Sequence, residues 1–347
     1  MTALAARLRS QRSMLRLPPS RIRTVGWVLA VVACVLVVVS LTTGTVSVPF
    51  LDALRAAVGI DTDGSADFIV GQVRAPRVLT TVAVGALLGL AGCLMQSVVR
   101  NELASPDILG VSAGAAAAAV VFIFLTGTTS SLAIAPAAVV GALATAALIV
   151  ALGARGRLEP LRMIIAGIGV GFVATSTVTY LLTRIPEKLV SHAYAWTIGS
   201  TNARTWQHVA LAAGALVLTV PVALLLTRSL RALEMGDDLA ASLGVRVRSV
   251  RLGTMALGAA AAGLAAALVG PVGFVALVAP ALARRITRTG AIAPVPAMLM
   301  GSVLLLIADY AAREMFSPTQ MPVGLFTALV GAPYLVWLLI RSRRAYV

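Results

Sequence analysis

Between Arg228 and Arg251 the chain reads RSLRALEMGDDLAASLGVRVRSVR, a polar island of 24 residues in a sequence that is otherwise mostly apolar. Asp237 and Asp238 suit a helix start, where carboxylates meet the positive end of the helix dipole. Leu239, Ala240 and Leu243, followed by Gly244, then read as about two helical turns closed by a glycine cap. So polar a segment does not insert into lipid, and so short a one does not make a domain. On these residues alone it is either a solvated connection or a surface element that a partner grips.

Working outward, the rest of the chain decides the class. Its 347 residues are 59% hydrophobic and 12% charged, with mean hydropathy +0.96. Soluble domains carry about 25% charged residues, so this composition describes a polytopic membrane protein without a sizeable soluble domain. The net charge of +15 would suit nucleic acid, but most of the arginines stand in short loops beside apolar runs. That placement fits the positive-inside pattern and excludes a nucleic-acid partner. Cys34 and Cys93 fall inside apolar runs with no metal or redox spacing, so they read as packing residues. The abundance of Ala and Gly suits close helix contact in lipid.

The expected fold is all-α with about ten transmembrane helices, each about 20 residues long to cross a core of about 30 Å. Residues 1–23 form a basic cytoplasmic tail with six Arg and no acid, and 24–347 form one transmembrane domain holding the 228–251 element. Spans are expected at 24–44, 77–98, 107–127, 132–153, 161–183, 206–227, 251–269, 271–288, 292–312 and 322–340. Residues 45–73 read as a polar excursion. With both termini cytoplasmic, 21 of the 28 Lys and Arg residues lie on the tail side and 7 on the other, as the charge rule requires. Arg77, Thr80, Gly89, Leu90 and Ala91 repeat as Arg251, Thr254, Gly263, Leu264 and Ala265. This is either an inverted repeat of the transporter kind or chance matching in Ala- and Gly-rich sequence.

Chemistry-bearing residues are sparse. Asp309 is the one acid well inside an apolar run. It lies within a turn of the outer end and four residues from Arg313, so an i,i+4 pair at the interface is its expected use. His192 and His208 fall on the outer side without carboxylate neighbours, which leaves no visible proton relay. No G-x-x-x-x-G-K-[ST] loop is present, and the single lysine, Lys188, cannot supply one. The chain is thus not expected to hydrolyse ATP, to be an enzyme or to hold a metal or cofactor. An ion-coupled secondary transporter working as a single chain is the alternative class.

The stretch Gly85 to Ala115, GALLGLAGCLMQSVVRNELASPDILGVSAGA, joins two apolar runs through a polar turn, where Ser105, Pro106 and Asp107 can start the next helix. It resembles the signature turn of the FecCD-type permeases, membrane subunits of ABC importers for ferric siderophores, haem and cobalamin. Five further places match in the same order: Arg74-Ala75-Pro76-Arg77; Trp196-Thr197-Ile198-Gly199-Ser200 with Trp206; Gly236, Ala240 and Leu243-Gly244-Val245; Gly270 to Phe274 with Pro280 and Arg284; and Pro322-Val323-Gly324 with Gly331 to Tyr334. The chain departs from the family pattern at Glu102, Ala281 and Gln320-Met321. NELASPDILG, GFVALVAP and QMPVG together are most similar to one subunit of the catecholate-type ferric siderophore permeases, which work in pairs.

The resemblance implies a type II ABC importer permease fold and import of a ferric siderophore across a bacterial cytoplasmic membrane, with haem or cobalamin as the alternative cargo. It implies a second permease subunit, two copies of an ATPase that hold ATP and Mg, and an extracytoplasmic binding protein. Residues carry over by position. Gly236, Asp237, Ala240, Leu243, Gly244 and Val245 would be the coupling element lying in a cleft of the ATPase. Arg74, Arg77 and Arg313 would receive glutamates of the binding protein, as outer guanidiniums near span ends suit carboxylates. Asn101 and Leu103 would form the cytoplasmic gate.

Overall fold

The computed structural model describes residues 19–44, 48–58, 67–153, 160–289, 292–315 and 320–343, and every regular element among them is helical. Most of the expected basic tail, with Asp61 and Asp63, lies outside them. The helices are α1 (Pro19–Thr42), α2 (Phe50–Val58), a π-helical turn (Phe68–Arg74) running into α3 (Ala75–Val99), α4 (Val111–Thr126), α5 (Ser131–Gly153), α6 (Pro160–Leu182), α7 (Glu187–Ile198), α8 (Trp206–Glu234), α9 (Asp237–Ser242), α10 (Val247–Val269), α11 (Val275–Thr287), α12 (Pro294–Glu314) and α13 (Val323–Arg343).

α3 is the centre of the bundle because it is apolar on every side, and a helix of that kind is stable only when surrounded. It is buried along nearly its whole length, packed by α12, α10, α8 and α11. Gly85 and Gly89 set the close approach to α12: a β-carbon there would stand 2.5 Å from the carbonyl oxygen of Gly301 and 2.2 Å from that of Ala297. Two glycines four apart bring backbones together where lipid offers no hydrophobic drive. By contrast α1, α6 and α8 leave most of their surface outward.

Among the described residues seven helices, all but one of them α-helical throughout, are long and apolar enough to cross a membrane: those in 21–42, 68–99, 131–153, 161–182, 206–234, 247–269 and 294–314. The other three expected spans are shorter. α4 has 16 residues, α11 has 13 and the apolar part of α13 is Val323–Val336. At 1.5 Å per residue α11 reaches only about 20 Å, short of the span expected over 271–288. The missing part is irregular chain, Gly270 to Phe274, and such backbone survives at depth only when buried in protein. Here Gly270 packs on the Trp196 carbonyl and Gly199 on the Pro271 carbonyl, while the Ser200 amide donates to the Val269 carbonyl at 2.7 Å.

Other expectations shift. Residues 45–73 are not simply a polar excursion, since they contain α2 and the π-helical turn that starts the second span at Phe68. α7 was not expected. α8 continues to Glu234, so Arg228 and Arg231 sit on a helix that extends about 43 Å, past the apolar core. The polar island is therefore the overhanging end of α8, the short α9 and the start of α10.

Candidate functional site

The side chains that carry interactions gather at the two ends of the bundle. At one end, α9 starts at Asp237 after Gly236 (φ +120°) and closes before Gly244 (φ +81°). Neither glycine would place a β-carbon against a neighbour, so backbone conformation alone makes glycine the fitting residue there. Ala240 is fully buried, and the Val245 amide returns to its carbonyl at 3.0 Å. On the other face Met235, Leu239 and Leu243, spaced four apart, are 54%, 48% and 60% exposed. All six expected coupling residues thus fall on α9 and its flanks, and Met235 and Leu239 join them as an outward apolar stripe.

Asp237 ties α9 to the bundle. Its Oδ1 accepts from Arg251 Nη2 at 2.9 Å and from Arg100 Nη2. Arg100 caps α3 in the left-handed conformation (φ +54°) and also donates to the Leu233 carbonyl at 2.5 Å. The expected gate follows at once. Asn101 is exposed and Leu103 half-buried, and Asn101 Oδ1 accepts the Leu103 amide at 2.9 Å. Gln96 holds the turn from the other side. Its Nε2 donates to the carbonyls of Glu102 (2.8 Å) and Leu277 (3.0 Å), and its Oε1 accepts from Arg284 at 2.5 Å. Beneath lies a polar cavity of about 240 Å³ lined by Gln96, Ser97, Arg100, Asn101, Glu102, Glu234 and Arg284. Farther along the turn, Ser112 donates to Asp107. Sequence reasoning missed Gln96, Arg100 and Arg251. The available signal for Gln96 was one amide in the apolar run GLAGCLMQSVV.

At the opposite end Asp309 is completely buried. Its i,i+4 contact with Arg313 exists at 3.4 Å, but not at an interface, and it is not the closest one. Asp309 Oδ1 accepts from Arg77 Nε at 3.1 Å and Nη2 at 2.9 Å, and from the Thr201 hydroxyl. Arg77 Nη1 goes on to Gln320 at 2.8 Å and Asn202 at 3.2 Å. One carboxylate thereby joins α3, α12 and the chain between α7 and α8.

The three arginines expected to face a binding protein stand at this end, yet each is less than a tenth exposed. Arg77 and Arg313 share Asp309, while Arg74 donates to the Leu41 carbonyl at 2.8 Å. Arg204, beside them, is pushed down to about 10 by burial and then by Arg77. It reaches the Ser200 carbonyl at 3.1 Å and the His208 ring at 3.2 Å. The outward cations here are Arg55, Arg184 and Lys188. Among the described residues no group of His, Cys, Asp and Glu could hold a metal.

Known proteins are similar to this chain along almost its whole length. The ferric enterobactin transport system permease protein of Escherichia coli is 39% identical over 326 residues, covering 94% of this chain and 98% of that protein. The achromobactin transport system permease protein of Dickeya dadantii is 36% identical over 324 residues, covering 92% and 93%. A solved chain described as a metal-chelate type ABC transporter, in an inward-facing conformation, superposes with a TM-score of 0.80 at 25% identity, covering 92% of this chain and 99% of the other. The FecCD transport family matches residues 31–341, and the chain belongs to that family.

Proposed function

We propose that this chain is one membrane subunit of an ABC importer that carries a ferric siderophore across the bacterial cytoplasmic membrane. The single observation that carries the coupling part of this reading is the group of exposed apolar side chains on and beside α9, Met235, Leu239 and Leu243. A membrane protein without its own nucleotide loop must take its energy from elsewhere, and this group suits a cleft in a partner. The cargo follows from the ferric enterobactin and achromobactin permeases it is similar to. A second permease subunit, homologous or identical, would complete the pathway. Two ATPase copies, holding ATP and Mg, would grip Gly236 to Val245, and both termini would lie on their side of the membrane.

An extracytoplasmic binding protein would dock at the Asp309 end. Arg74, Arg77 and Arg313 would have to turn outward or act by their field, whereas Arg55, Arg184 and Lys188 are already presented. Asn101 and Leu103 would close the pathway above the polar cavity. The test is affinity purification of the tagged chain, followed by uptake in proteoliposomes. An ATPase is expected to co-purify, and ferric siderophore uptake should require ATP and the binding protein and be resisted by neither haem nor cobalamin as competitor. Uptake driven by an ion gradient alone, with no ATPase present, would defeat this reading.

A further inference from the structure

We infer that Arg100 is the positioning residue through which α9 moves the Asn101–Leu103 turn, by way of the Asp237 carboxylate. The inference rests on the reading that α9 takes up a partner's motion and that the turn closes the pathway. Its own support is local. Arg100 occupies a left-handed cap (φ +54°), a conformation that glycine adopts without steric cost and an L side chain does not. What the arginine supplies in exchange is its guanidinium, which bridges the Leu233 carbonyl at the end of α8 and the first residue of α9. Asp237 is held in turn by Arg251 of α10 at 2.9 Å.

The turn beyond Arg100 is short and internally bonded. The Asn101 amide returns to the Gln96 carbonyl at 3.2 Å, and the Ala104 amide to the Asn101 carbonyl at 3.1 Å. The Leu103 amide is held by Asn101 Oδ1. A displacement of Arg100 therefore reaches Leu103 within three residues, with little slack. On the far side Gln96 fastens the same turn to α11 through Glu102 and Leu277. The turn thus hangs between a fixed anchor on α11 and an anchor that travels with α9. The Arg100 and Asp237 side chains are 37% and 42% exposed, and pairs that open contribute little to stability. A mechanical role is what the geometry leaves for them.

The experiment uses the whole transporter in proteoliposomes, with its ATPase and binding protein, and reads siderophore uptake per ATP hydrolysed. The variants are Arg100→Gly, which suits the backbone while removing the side chain, Arg100→Lys, Asp237→Ala, and Arg100→Gly with Asp237→Ala. Arg100→Gly should keep the ATPase bound and hydrolysing at the wild-type rate, while uptake per ATP falls at least about threefold, the scale expected of directly coupled groups. Arg100→Lys should recover part of the loss. The double variant should be no worse than the worse single one. Wild-type coupling in Arg100→Gly, or losses that multiply in the double variant, would overturn the clasp alone. A wild-type chain that brings down no ATPase would overturn the reading beneath it, and that outcome is scored separately.

Discussion

Removing the carboxylate at Asp309 is the sharpest test of how the end opposite α9 is built. Asp309 is fully buried, and it neutralises Arg77 through two bonds of 3.1 and 2.9 Å while standing 3.4 Å from Arg313. Asp309→Asn keeps the shape and one acceptor oxygen but leaves two guanidiniums, each less than a tenth exposed, with no counter-charge. Stranding one partner of a buried pair costs about 3–5 kcal/mol. The Asn change should fall in that range, since Arg77 retains Gln320 and Asn202 as polar neighbours.

Removing both sides together separates this account from a general packing defect. Replacing a buried pair by apolar groups is often close to neutral. Arg77→Met with Asp309→Leu should therefore cost clearly less than the sum of the two single changes, although Arg313 then keeps its contact to the Ser40 carbonyl at 3.3 Å and its place over the Tyr310 ring but no carboxylate at Asp309. Thermal unfolding of the purified protein in one detergent, with monodispersity recorded at each temperature, gives the ordering. Asp309→Asn melting with the wild type, or strictly additive losses in the double variant, would refute the buried node. The same variants address docking, because a carboxylate that holds Arg77 and Arg313 inward also withholds them from a partner. Binding-protein affinity should accordingly rise in Asp309→Asn at low salt if those arginines can receive its glutamates.

Gly236→Val should insert and fold yet lose uptake, because at φ +120° a branched side chain costs on the order of 1–3 kcal/mol of local strain and re-aims α9; membrane yield and uptake measured together check this. Leu103→Ala should leave a folded transporter that leaks a preloaded small solute without ATP, and Asn101→Ala should act in the same direction by freeing the Leu103 amide. Folded, tight vesicles with normal transport would remove both residues from the gate.

The all-helical membrane class, most of the spans and the likeness to a transport family were legible in the linear sequence, because lipid enforces one rule on every span: apolar length with charge at the ends. α9 was legible for a related reason. A two-glycine frame around Asp237 to Ser242 is local chemistry, and the helix formed where the capping residues put it. The six positions read as a coupling element ended on one short segment, five of them at least partly exposed and Ala240 buried beneath, because they were neighbours in the chain already.

What only the tertiary structure decided was which charged side chains meet. Asp309 had Arg313 four residues away, and proximity in sequence made that pair look sufficient. The carboxylate instead makes its closer ion pair with Arg77, 232 residues distant, because the glycine contact between α3 and α12 brings those two helix ends together. Arg74, Arg77 and Arg313 read as outward-facing for the same reason that they are buried: a loop position shows nearness to a span end, not the direction in which a side chain points. α11 likewise had the composition of a span, yet it starts part-way through the bundle, where the Gly199 and Gly270 turns press together and leave no room for another helical turn. Arg100 carries no local signal of its role and Gln96 only that of an amide in an apolar run, since each acts through partners that long-range packing alone supplies.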